Sequence, residues 1–196
     1  VVMSSFSSWG PTDDGRIKPD ISMKGVAVRS TVNTSDTAEG IMSGTSMASP
    51  GITGVVLLLQ QYYNQLYNAY MRAATTKGLI LHTAEEAGID QGPDYSFGWG
   101  LVNAQKAAIA IRDRNSIFGS KSIIEELTLN NGGTYTRNIT ASGNNPLRVS
   151  ISWTDPGYPT ANTGTVDPST VYLINDLDVK VTQNNSIFYP WKLQGM

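Results

Sequence analysis

The chain has 196 residues, 40% hydrophobic and 15% charged, with a formal net charge of -2, which leaves room for one domain or two unequal ones and sets it apart from a disordered polymer. No run of Lys or Arg offers a nucleic-acid surface, and the longest apolar run, Val55-Val56-Leu57-Leu58-Leu59, falls far short of the roughly 20 residues that span a bilayer. With no cysteine, a disulfide framework, a thiolate zinc site and a thiol nucleophile are all excluded.

Val1-Val2-Met3-Ser4-Ser5 has neither the basic nor the apolar section of a signal peptide, so the chain is expected to start inside a longer protein. Gly and Pro then break the first fifty residues into short strands and loops, with strands expected at Val2 to Ser7 and Val26 to Val32. From Ser46 to about Asn64 the pattern turns helical. Val55, Leu58, Leu59, Tyr62 and Tyr63 recur at the spacing of a largely buried helix, with Pro50 in its first turns, where a missing N–H costs little. Tyr67 and Tyr70 extend an aromatic cluster that reads as core or a covered face. A second helix is expected over Ala69 to Ala84, weakened at Gly78, and a third over Val102 to Arg112, after Gly98-Trp99-Gly100.

Beyond Arg114 the period changes to two. Ile123-Ile124, Leu127 to Leu129, Tyr135 to Ile139 and Leu147 to Trp153 alternate like half-buried strands, with later ones at Val171 to Ile174, Val179 to Thr182 and Ile187 to Tyr189. Leu147, Val149, Ile151 and Trp153 share one face, leaving Arg148, Ser150 and Ser152 toward water. The pattern predicts an antiparallel β-sandwich with its boundary near residues 114–122, giving units 1–116 and 117–196.

A serine hydroxyl needs a base to take its proton and donors to hold the oxyanion, and free N–H groups at a helix start supply donors. Ser46 stands at such a start. Most Ser residues there are simple caps, but here the serine lies within Gly44-Thr45-Ser46-Met47-Ala48-Ser49-Pro50. That string resembles, without departure, the nucleophile motif of the subtilisin-like serine proteases. Phe6-Ser7-Ser8-Trp9-Gly10-Pro11 with Asp14 to Ile21, and Gly92-Pro93-Asp94-Tyr95 with Gly98 to Ala104, are similar in order and spacing to the family's flanking segments. Ser22-Met23-Lys24-Gly25 departs from its Ala-Pro-Gly turn. Ile151 to Pro156 and Asn175-Asp176-Leu177-Asp178 are similar to a jelly-roll domain appended to one branch of bacterial subtilases, and fewer strands are counted than the eight of a complete jelly roll.

The resemblance implies an α/β fold, the C-terminal part of a parallel-sheet catalytic domain, followed by that β-sandwich. It implies Ser46 as nucleophile, with its N–H as oxyanion donor, in an endopeptidase that is secreted or on the surface of a bacterium. It implies a peptide or protein substrate and no required cofactor. The family's Asp and His precede the serine, yet residues 1–45 contain no histidine and neither expected context, and the oxyanion Asn has no counterpart. The chain is therefore expected to depend on an upstream segment and to be inactive alone. The sole histidine, His82, lies after Ser46 in a helix that reads as structural, where a helix C-terminus favours its charged form.

Asp13 and Asp14 read as a solvated turn pair, and Asp20 as a loop-fixing acceptor rather than the triad acid. Asp176 and Asp178 are candidate calcium ligands, with ordinary surface carboxylates as the alternative. The rival reading of the whole is a non-catalytic interaction module derived from a subtilase, with Ser46 an inherited cap.

Overall fold

Short connections and packed helices dominate the first two thirds of the molecule, in a computed structural model that describes residues 1–89, 91–114, 122–141, 143, 145–158 and 164–192. Strands β1 (Val28–Thr31) and β2 (Glu39–Met42) pair antiparallel, with Val28 opposite Met42 and Thr31 opposite Glu39. Residues 32–38 are too short a link for the crossover that a parallel pair demands. β1 falls inside the expected strand; β2 was not foreseen, and residues 2–7 form no strand.

Helix α1 (Thr45–Tyr67) follows at once, then α2 (Ala73–His82) and α3 (Ala104–Arg112). All three expected helices form, with α2 starting later than Ala69 because Asn68 takes the left-handed conformation, φ 49°, that ends α1. Asn103 caps α3 by accepting the Lys106 N–H at 2.8 Å. Leu59 and Tyr63 of α1, Met71, Leu79 and Ile80 around α2, and Ala107 and Ile111 of α3 form the core.

The parallel sheet implied by the resemblance is not formed among the described residues. Parallel pairing is confined to isolated bridges, Ser22 with Leu101 and Arg114 with Ser122, and α1 packs on α3 instead. Leu58, expected in the core, is 66% exposed and Leu57 matches it, so α1 buries one stripe and leaves a second apolar one bare. The tyrosine cluster divides in the same way. Tyr63 is buried and Tyr67 donates to the Ile111 carbonyl at 2.7 Å, while Tyr70 is exposed.

The boundary expected near 114–122 lies mostly outside the described residues, but both flanks are placed. Arg114 lies over the rings of Tyr63 and Tyr67, donates to the Tyr63 hydroxyl and reaches the Ile124 carbonyl at 3.1 Å. The Glu126 carboxylate accepts the Arg72 N–H at 2.9 Å and the Thr75 hydroxyl, so it caps α2 from a distant segment. Burial opposes its charge, yet those bonds and Arg72 hold the carboxyl below its usual range. The helix dipole favours the same sign.

Past Glu126 the expected strands have no ladder partners among the described residues, except for the hairpin of β3 (Val181–Gln183) and β4 (Ser186–Phe188). The face predicted to be buried is not covered, and both faces of this segment are exposed, Leu147, Val149, Ile151 and Trp153 included. Their polar neighbours meet α2: His82 Nδ1 is 2.8 Å from Ser150 Oγ, Arg148 donates to the His82 carbonyl at 2.7 Å, and a Cβ at Gly78 would come within 2.8 Å of that of Ser152. Gly78, read as a weak point in the helix, is what lets this segment lie so close. The apolar four are exposed, because alternation defines two faces without naming the neighbour each will meet.

Candidate active site

Ser46 is the second residue of α1 and is exposed. Gly44, in extended conformation, is the N-cap and contributes no side chain; no acidic residue occupies the first turn. The positive end of the helix is thus left uncompensated. The Met47 N–H turns back to the Gly44 carbonyl at 3.0 Å, and helix geometry gives the Ser46 N–H no intrahelical acceptor. Pro50 lies in the second turn of α1, one residue further in than a start at Ser46 would place it. Its missing N–H would have bonded the Ser46 carbonyl, so both polar groups of the Ser46 main chain escape the helical ladder.

The turn is anchored from one side. The Gly44 N–H donates to the Gly25 carbonyl at 2.8 Å and the Ala27 N–H to Ser43 Oγ at 2.9 Å. Gly25 is required for this approach, since a Cβ there would sit 2.7 Å from the Gly44 oxygen. The hairpin and the helix start together enclose a cavity of about 370 Å³, lined among others by Ser30, Met42, Ser46, Met47 and Pro50. Arg29, also on its wall, is neutralised by Glu39 across the strands at 2.6 Å. Sequence reasoning missed Met42 and the Ser43–Ala27 contact, because Glu39-Gly40-Ile41-Met42 is too brief to announce a strand.

His82 does not line this cavity; its ring nitrogen is engaged with Ser150. Burial first, and then the Arg148 charge, hold it below its ordinary value of 6.5, so the favourable dipole interaction expected of an imidazolium is outweighed. Asp20 accepts from Lys18 and pairs with Lys77 of α2 at 3.3 Å. Burial opposes its ionisation and the two lysines overcome it, leaving the carboxyl below its usual range. It ties the loop to α2 through ion pairs and binds the Trp99 N–H through its main-chain oxygen, at 3.0 Å.

The pair Asp13 and Asp14 separates. Asp13 is exposed, whereas the Asp14 side chain is only 8% exposed and accepts from Thr12 and Arg16. Asp176 and Asp178 are exposed, and among the described residues no group of three or more His, Asp or Glu gathers to hold a metal. Nearby, Asp155 is committed to the Ile174 and Asn175 amides at 2.7 and 3.0 Å. No helix of the described residues is long and apolar enough to cross a membrane.

Three curated relatives frame this geometry. Bacillopeptidase F of Bacillus subtilis is 36% identical over 114 residues, 57% of this chain and 8% of that protein. The C5a peptidase of Streptococcus pyogenes is 37% identical over 116 residues, 55% of this chain and 10% of its own length. The serine protease/ABC transporter B family protein tagA of Dictyostelium discoideum is 28% identical over 207 aligned positions, 91% of this chain and 11% of that protein. The chain therefore spans about a tenth of the length of the relatives it matches. The profile of the peptidase S8 family matches residues 2–100, half of the sequence and the whole of the Ser46 turn with its anchoring loops, and the chain belongs to the subtilase family.

Proposed function

We propose that this chain is the nucleophile-bearing portion of a serine endopeptidase in which Ser46 forms the acyl-enzyme. The observation that carries the reading is the exposed Ser46 hydroxyl at an uncapped, acid-free helix start beside an open cavity. Ser46 Oγ attacks the scissile carbonyl carbon as a base takes its proton, and the oxyanion is held by the Ser46 N–H. The C–N bond then breaks, the base returns the proton to the leaving amine, and water repeats the sequence on the ester. The only imidazole in the chain is engaged with Ser150. Base, acid and second oxyanion donor are accordingly assigned to polypeptide outside these residues, and the chain alone is expected to be inert. Losing one oxyanion donor alone costs about 10²–10³ in rate.

The bare stripe of Leu57 and Leu58 fits a helix whose second side is covered by the remainder of a catalytic domain. The period-two segments after Glu126, and an aligned relative that covers 91% of the chain, support an appended β-sandwich over 117–196, with 1–116 as the catalytic portion. The reading takes a peptide or protein substrate, a secreted or surface location and no required cofactor. Labelling with a serine-directed phosphonate tests it. The expected result is no label on the isolated chain, label on Ser46 in the full-length protein, and loss of that label in Ser46→Ala with the melting temperature unchanged. A full-length protein that neither takes the label at Ser46 nor turns over a peptide would instead favour the non-catalytic module.

A further inference from the structure

Ala27 has φ 50°, a left-handed conformation that a residue with a Cβ adopts only when its surroundings impose it. What imposes it here is the turn before Ser46. The Ala27 N–H points at Ser43 Oγ at 2.9 Å, and two residues earlier the Gly25 carbonyl receives the Gly44 N–H at 2.8 Å. Gly44 is then fixed on both sides, its N–H by Gly25 and its carbonyl by the Met47 N–H at 3.0 Å. Gly44 is also the N-cap of α1, so the orientation of its two peptide planes sets where the chain enters the helix and where the Ser46 N–H and hydroxyl point. The Ser43 hydroxyl is the side-chain member of this clamp; its other bonds are made by main chain.

We propose that Ser43 is a positioning residue for the reaction at Ser46: its hydroxyl, by holding Ala27 in a strained conformation, keeps the Gly25–Ala27 segment against the turn and fixes the direction of the nucleophile. The inference rests on the reading of Ser46 as nucleophile. A side chain at this place acts on the direction of attack and on the oxyanion donor, and hardly on substrate affinity. Its loss therefore appears in kcat and not in KM.

Two measurements decide it. In the 196-residue chain, Ser43→Ala is expected to raise amide hydrogen exchange at Ala27 and Gly44 about 10-fold while α3 stays protected, and Ser43→Thr, which keeps the hydroxyl, to preserve the native pattern. In the full-length protease, Ser43→Ala is expected to lower kcat about 10- to 100-fold at unchanged KM, with Ser43→Thr restoring it. Ala27→Gly removes the strain, so in the double variant Ser43→Ala/Ala27→Gly the segment holds the turn without the hydroxyl, and kcat is expected to recover toward that of the native enzyme. Exchange unchanged in Ser43→Ala, or faster exchange with kcat intact, would overturn the proposal. Ser46→Ala in the same series separates the two ideas: turnover without the Ser46 hydroxyl would refute the nucleophile, while the exchange data still decide the clamp.

Discussion

The three helices are richer in apolar residues than the segment after Glu126, and the apolar residues of the two regions have opposite fates. In the helical region, side chains spaced by three and four converge on one another, and Ile111 is completely buried between α1 and α3. In the later region, Leu147, Val149 and Ile151 alternate regularly yet are exposed, and β3–β4 is the one ladder among the described residues of that region. A helix completes its main-chain hydrogen bonds within itself and needs only one neighbour for its apolar stripe. A strand needs a partner for its edges and another layer for its face. Contacts across the two regions include polar ones from Arg148, Ser150 and Glu126 beside the Trp191 ring against Gly92, so what joins them is more mixed than what holds the helices together.

Truncation should expose this contrast most sharply. Ile111→Ala is expected to cost about 3–4 kcal/mol, the loss typical of a fully buried aliphatic residue, against well under about 1 kcal/mol for Val149→Ala. Equal losses in urea melts would show that the alternating segment has a buried face after all. Smaller is the seam between the regions. Arg114→Ala removes a cation–π contact and the bond to the Ile124 carbonyl, and is expected to lower stability by about 1–2 kcal/mol. Protease cleavage should then begin between residues 122 and 126; cleavage elsewhere would mean that Arg114 does not hold that segment.

A pH effect of intermediate size belongs to the same seam. Because burial and Arg148 lower the His82 pKa in the folded chain, the unfolded chain binds the proton more readily. The contribution is fully present above 6.5, the ordinary histidine value, and is lost as the pH falls through the lower folded value. α1 carries no charge, Glu85 and Lys106 pair with each other at 3.3 Å, and Glu86 accepts the Gly92 N–H, which leaves Arg148 as the charge acting on the ring. Asp20 and Glu126, whose carboxyls are depressed, lose their stabilisation in a more acidic window. Melting temperature between about pH 8 and pH 5 should therefore decline in the native chain and stay flat in His82→Asn. A parallel decline in both would assign the effect elsewhere.

Two smaller effects complete the series. Ala27→Gly should raise stability by about 1 kcal/mol by relieving a left-handed residue. No gain would mean that Ala27 carries no strain for Ser43 to hold. A chelator should leave the melting temperature unchanged, and a fall of several degrees would make Asp176 and Asp178 calcium ligands.

The sequence by itself determined the three helices and the family to which the Ser46 turn belongs. Helical periodicity is local, and Gly44 to Pro50 encodes a backbone geometry as well as a chemistry. It also read Ser46 and His82 into different places, and the structure sets them apart: Ser46 lines the cavity and His82 does not. Tertiary structure alone decided which side of α1 is covered, that β2 pairs with β1, that Glu126 caps α2, and that Arg148, Ser150 and Ser152 meet the helix while Leu147, Val149 and Ile151 do not. Each of these depends on a neighbour outside the segment's own local pattern. Alternation and amphipathicity mark a surface as apolar or polar, and only the packed chain settles what lies against it.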